Sequence, residues 1–137
     1  MAADILEQIV VHKRKEVASA HKKQPLAELE SLARHRSDHR CLLQALKRPD
    51  HVHIIAEIKR ASPSKGDIRP DLNAADQAAA YERGGASALS VLTGTAYFKG
   101  SLEDLKAARQ ATNLPVLRKE FIISPYQVYE SAAAGAD

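Results

Sequence analysis

The sequence predicts an α/β protein built on a parallel sheet and preceded by a helical segment, and three observations carry this expectation. From His53 onward, short runs rich in Val, Ile and Leu alternate with amphipathic, alanine-rich stretches. Those runs recur at roughly the 30-residue spacing of a strand–helix unit. The stretch before them shows only the helical period. Strands joined by crossover helices run parallel, and parallel strands need both faces covered.

Ile5, Ile9 and Val17, with Leu6 and Val10 beside them, form an apolar stripe opposite a charged face of Lys13, Arg14, Lys15 and Glu16. That spacing predicts a first amphipathic helix. Pro25 suits the first turn of a second, short helix through Leu26, Leu29 and Leu32. Ser37 or Asp38 is placed to cap a third, with Leu42, Leu43 and Leu46 facing inward and Pro49 ending it. Cys41, next to two leucines, is expected in the packing. Helices this short do not persist alone, so their apolar faces must lie against other parts of the chain. Residues 1–52 are read as an N-terminal helical extension and 53–137 as the α/β part.

In the second part a strand from Ile54 to Lys59 leads through the turn-forming, cation-rich loop Arg60 to Gly66. A helix from about Asn73 to Arg83 follows, and Gly84 and Gly85 close it as a left-handed C-cap requires. Ala88 to Thr93 is a second strand. A loop through Tyr97, Phe98 and Gly100 precedes a helix from Ser101 to about Gln110. Pro115 opens a third strand, Val116 to Phe121, and Ser124-Pro125 starts a third helix running to Ala134. Gly135-Ala136-Asp137 then echoes Gly85-Ala86-Ser87, where the same helix ending feeds into a strand. A fourth strand is therefore due. A (βα)8 barrel takes about 250 residues. The expectation is its first three βα units, either as the N-terminal part of a longer protein or as a half-barrel whose open edges invite self-association.

Composition narrows the function classes. The 137 residues are 45% hydrophobic and 27% charged, an ordinary globular balance with enough chain for one core. A net charge of +3 suits anionic small molecules. Basic residues are scattered and aromatics make up only 4%, so no stacking platform accompanies a basic stripe and nucleic acid is not expected as a partner. The single cysteine, Cys41, excludes an internal disulfide and a thiolate metal cluster. His35, His39, His51 and His53 fall in polar or loop stretches without metal-ligand spacing, and are read as solvated. Asp4 and Glu7 interrupt the N-terminus, so it does not read as a signal peptide. No segment approaches the ~20 apolar residues of a membrane span. A cytoplasmic protein without a membrane partner is expected.

The chemistry sits at the strand ends. Glu57 and Lys59, two residues apart on an apolar strand, project from one face because side chains alternate. Burying both costs several kcal/mol unless they are paired or used. Charged groups at the C-terminal end of a strand, followed by a loop, match the layout of α/β active sites. The plain alternative is a surface ion pair on an edge strand. Leu117, Lys119 and Phe121 likewise share a face of the third strand, with Lys119 toward its C-terminal end. Lys119 could equally pair with Glu120 at a solvated strand end. If both faces line one interior, Glu57, Lys59 and Lys119 converge on a common, water-poor mouth, and lysine there serves as proton donor or nucleophile.

Three motifs in order carry a family resemblance: Ile55 to Gly66 (IAEIKRASPSKG), Ser90 to Thr93 with Tyr97 to Ser101 (SVLT, YFKGS), and Pro115 to Ile122 (PVLRKEFI). Together they strongly resemble indole-3-glycerol phosphate synthase, and the resemblance extends over the whole chain. It implies a (βα)8 barrel whose N-terminal helices help cover the substrate. It further implies ring closure of 1-(2-carboxyphenylamino)-1-deoxyribulose 5-phosphate with loss of CO2 and water, in tryptophan biosynthesis, with no cofactor and no metal. By motif, Lys119 resembles the general acid, Lys59 the cation that holds the substrate carboxylate, and Glu57 the partner that tunes the lysines. Ser62 resembles a ligand of the anthranilate end, and Phe98 and Phe121 resemble walls of the aromatic pocket. The family's second catalytic glutamate, its Asn-Asn-Arg-like segment and its late phosphate loops have no counterpart here, so these residues alone are expected to be inactive or nearly so. Two other readings stand beside this one: a phosphosugar barrel in which Lys119 forms a Schiff base, and a non-catalytic half-barrel.

Overall fold

In the computed structural model, which describes residues 4–49 and 51–137, the elements run α1 (Ile5–Lys23), α2 (Leu26–His35), α3 (Leu42–Ala45), β1 (Ile55–Ile58), β2 (Ala61–Ser62), β3 (Gly66–Asp67), α4 (Ala74–Arg83), β4 (Ala88–Leu92), α5 (Thr95–Phe98), α6 (Leu102–Ala111), β5 (Val116–Lys119) and α7 (Pro125–Ala133). They fall into two compact units. One comprises the residues through Ser37 together with Phe121–Ala133, the other Asp38–Glu120 with Ala134–Asp137. Among the described residues no helix is long and apolar enough to cross a membrane.

The first unit is helical. Asp4 caps α1 by accepting a hydrogen bond from the Leu6 amide. Ile9 is buried, as the apolar stripe requires, but Ile5 and Leu6 remain about half exposed. Lys13, expected on the charged face, is instead buried. It lies one turn beyond Ile9, so its aliphatic stem packs inward while its ammonium pairs with Glu16. Pro25 stands at the N-cap of α2, one position earlier than anticipated. Helix α2 packs on α7, where Leu29, Tyr126 and Gln127 are fully buried. Tyr126 lays its ring against the exposed His21, with centroids 4.1 Å apart. The Tyr126 hydroxyl donates to the Gln24 carbonyl at 3.1 Å. Gln127 pins the segment before α7: its amide donates to the Phe121 carbonyl at 2.9 Å and its Oε1 accepts from the Ile123 amide at 2.7 Å.

The second unit holds the sheet, three parallel strands in the order β1-β4-β5. Ala56 and Ile58 stand opposite Leu89 and Val91, and Val116 opposite Leu89. This row, with Ala78, Leu105 and Ala108 from α4 and α6, forms the core. Asn73 caps α4 through the amides of Ala75 and Asp76, and Ser101 caps α6 through the Asp104 amide. Gly85 adopts φ +87° at the end of α4, and Gly135 φ +100° at the end of α7, the left-handed closures that both Gly-Ala pairs announce. Beyond Gly135 the Asp137 amide donates to the Val116 carbonyl at 2.7 Å, and its carboxylate accepts from the Val116 amide at 3.0 Å, so the chain enters pairing beside β5. The parallel strand–helix architecture is that of a partial (βα)8 barrel.

Several expectations need correction. The third N-terminal helix shrinks to α3, with Cys41 at its N-cap and no side-chain cap bond. Leu43 and Cys41 are exposed. Asp38 does not cap that helix; its carbonyl and carboxylate accept from the buried Arg109 guanidinium, which also reaches the Asp137 carboxylate at 3.3 Å. That long-range demand outcompetes a weak local cap. The loop after β1 contains the small antiparallel hairpin β2–β3, turned at Gly66 with φ +64°, and α5 occupies the expected loop around Phe98. Strand β5 stops at Lys119, so Phe121 lies outside it. His53 is half-buried, with Nδ1 3.0 Å from the Ser87 hydroxyl, and is not simply solvated.

Candidate active site

The face of the sheet opposite the core carries the ionisable groups. Parallel register sets Glu57 opposite Ser90 and Ser90 opposite Leu117, and sets Leu92 opposite Lys119. Strand β1 ends at Ile58, one residue short of the expected Lys59, yet the Lys59 ammonium still comes to the Glu57 side. Glu57, Lys59 and Lys119 therefore share one face at the C-terminal ends of β1 and β5. Lys59 Nζ lies 2.8 Å from Glu57 Oε1. The Glu57 carbonyl is held separately by the Tyr81 hydroxyl of α4 at 3.1 Å, which fixes the backbone beneath the carboxylate.

The site is not dry. The Glu57 and Lys59 side chains are 36% and 35% exposed, and Lys119 is exposed, its ammonium without a hydrogen-bond or ion-pair partner among the described residues. Ile55 and Leu117 on the same face are also exposed, at 45% and 40%. The expectation of a water-poor mouth is thus corrected: on these strands that face stands open. Nor does Lys119 pair with Glu120, whose carboxylate turns to Thr93.

Ser62 sits half-buried in β2, where its hydroxyl accepts from the Lys65 amide at 3.2 Å and thereby closes the hairpin turn. Phe98 ends α5, which packs on β2, and its ring lies against Gly94 closely enough that a Cβ there would come within 3.3 Å. Phe121 belongs to the other unit, half-buried, with its carbonyl held by Gln127.

Three further groups surround the strand ends without having been singled out in the sequence. Arg60, immediately after Lys59, is paired bidentately with Asp104 and also donates to the Pro70 and Leu72 carbonyls. Lys99, in the left-handed region at φ 54°, pairs with Asp67 of the hairpin at 2.8 Å. Arg118, Glu120 and Thr93 form a buried network at the ends of β4 and β5. The Arg118/Glu120 spacing carries a readable signal: two opposite charges at i and i+2 emerge on one side of a strand, here the packed side, and need each other there.

A parallel sheet of strand–helix units is the architecture of a (βα)-barrel protein, and the acid–amine cluster stands at the C-terminal strand ends, where such proteins carry their sites. Comparison with known proteins sharpens that class. The family model of indole-3-glycerol phosphate synthase matches residues 6–137, and the chain belongs to that family. Proteins named indole-3-glycerol phosphate synthase from Desulfosudis oleivorans, Laribacter hongkongensis and Leifsonia xyli subsp. xyli are 59%, 51% and 47% identical to it, over 98%, 98% and 100% of the chain. The chain spans about half the length of these relatives: 52%, 52% and 53% respectively.

Proposed function

We propose that this chain supplies the first part of an indole-3-glycerol phosphate synthase, a carbon–carbon lyase of tryptophan biosynthesis working in the cytoplasm. The reaction closes the ring of 1-(2-carboxyphenylamino)-1-deoxyribulose 5-phosphate and releases CO2 and water. The observation that carries this reading is the placement of Glu57, Lys59 and Lys119 on one sheet face in a chain of that family.

Each role follows from what the chemistry needs. Attack of the aromatic carbon on the ketone puts charge on the carbonyl oxygen, and the Lys119 ammonium donates a proton to it as the carbon–carbon bond forms. The substrate's carboxylate is held by Lys59 until the C–C bond to it breaks and CO2 leaves. Glu57, 2.8 Å from Lys59, orients that ammonium, and the hydroxyl formed in the first step leaves as water, taking one proton from the acid–amine pair while the neighbouring ring CH2 gives one back to it. Ser62 binds the anthranilate end, and Phe98 lies along the ring and holds it in attack geometry.

Turnover measured in the longest natural polypeptide carrying this sequence tests the assignment. Lys119→Ala is expected to lower kcat at least ~100-fold, in line with removal of a general acid, while Lys59→Ala lowers kcat/KM with a marked rise in KM. Retention of full activity by both variants would refute the roles. The 137 residues alone are expected to give no family-like turnover, because barrel phosphate sites are built by loops after strands seven and eight.

A further inference from the structure

We propose that Glu120, acting through Thr93 and Arg118, is a positioning residue that fixes Lys119 at the end of β5. This rests on the role given to Lys119 above. Arg118 stands opposite Val91, on the packed side of the sheet, and its side chain is only 7% exposed, while that of Glu120 is 2% exposed. Charges so deeply placed are costly unless fully engaged. Here they are joined in a relay. Arg118 Nε donates to the Thr93 hydroxyl at 3.0 Å, and that hydroxyl donates to Glu120 Oε2, also at 3.0 Å.

Thr93 makes a second connection, since its amide donates to the Lys119 carbonyl at 3.2 Å. One residue at the end of β4 thus grips the residues before, at and after the last position of β5. Gly94 leaves room for the arrangement: a Cβ there would lie 3.5 Å from Glu120 Oε1 and 3.3 Å from the Phe98 ring. The consequence falls on Lys119, which has no side-chain partner among the described residues and whose placement is set by its backbone alone. Without the relay, the last rung between β4 and β5 opens and the ammonium loses its fixed place relative to Lys59.

Two measurements without substrate test this in Glu120→Gln, Thr93→Val and Thr93→Ser. Amide exchange at residue 93 reads the rung to Lys119, and exchange at Leu89, which donates to the Pro115 carbonyl, reads the opposite end of the same strand pair. Glu120→Gln and Thr93→Val are expected to cut protection at residue 93 by about 10-fold or more and to leave Leu89 within about 2-fold, and Thr93→Ser is expected to restore it. Parallel loss at Leu89, or unchanged protection at residue 93, overturns the proposal. The second measurement is the yield of a Lys59–Lys119 cross-link by a short amine-reactive reagent, the two Cα atoms being about 10 Å apart across two strand spacings. It should fall about 3-fold or more in the first two variants and recover with serine. An unchanged yield, or no such cross-link in the unaltered protein, also overturns it. Failure of either measurement leaves the turnover test of Lys119→Ala unaffected, so the two claims fail separately.

Discussion

Asp104 holds Arg60 by both carboxylate oxygens, at 2.6 Å from Nη2 and 3.3 Å from Nε. Arg60 follows Lys59 directly and Asp104 lies in the first turn of α6, so the pair ties the exit of the site-bearing strand to a helix more than forty residues downstream (|i−j| = 44). The same guanidinium donates to the Pro70 and Leu72 carbonyls, and the Arg60 carbonyl accepts from the amides of Ile68 and Arg69.

Removing the guanidinium is therefore expected to cost more than an ordinary surface ion pair. The two side chains are 19% and 16% exposed, and each charged hydrogen bond is worth about 1.5–3 kcal/mol before non-additivity. Arg60→Met is expected to lower unfolding free energy by about 2–4 kcal/mol and Asp104→Asn by about 1–2 kcal/mol. Urea unfolding followed by circular dichroism reads both; losses under about 0.5 kcal/mol would class the pair with solvent-screened ones.

Gly100 makes a second prediction on steric grounds. A Cβ at this position would sit 2.0 Å from the Leu92 carbonyl oxygen and 2.7 Å from its carbon, both backbone atoms that cannot swing aside. Gly100→Ala is expected to destabilise the protein by about 2 kcal/mol or more, as overpacking against fixed structure does, and to displace the end of β4 next to Thr93. A thermal midpoint within a degree of the parent would contradict that close approach.

Tyr126 supplies a dependence on pH. Burial, followed by the charges of Glu130 and Glu28, raises its hydroxyl above the ordinary value of 10.0. The folded protein then holds that proton when the unfolded chain has released it. Stability from this group is complete below pH 10.0 and is lost as pH rises through the higher folded value. Tyr126→Phe should flatten the alkaline decline in thermal midpoint while costing about 1 kcal/mol at neutral pH, through loss of the bond to the Gln24 carbonyl. An equally steep decline in the phenylalanine variant would assign the alkaline sensitivity elsewhere.

The elements whose signals are local were legible in the sequence. Asn73, Ser101, Gly85 and Gly135 mark ends where the structure has caps and left-handed closures, and the strands lie where Val, Ile and Leu cluster. The Glu57–Lys59 contact follows from i, i+2 alternation, and the shared face with Lys119 from parallel register. What escaped depends on distant partners. Lys13 is buried because of what packs around α1, and Asp38 abandons a helix cap for Arg109. The Thr93–Glu120 contact joins residues whose nearness only the β4–β5 pairing creates. Hydrophobicity carries the third strand on to Phe121, but it marks a tendency and not an end point, and β5 stops at Lys119. The wetness of the site was illegible because exposure is set by neighbours rather than by the strand's own letters.

The division of the sheet into a sealed side and an open one has a consequence for how this polypeptide tolerates change. Along β1 and β5, Ala56, Ile58 and Val116 enter the core, while Ile55, Glu57, Leu117 and Lys119 stand on the other face. Substitutions on that other face are expected to cost folding little. Deleting a single residue within either strand would exchange the two sets and forfeit both at once.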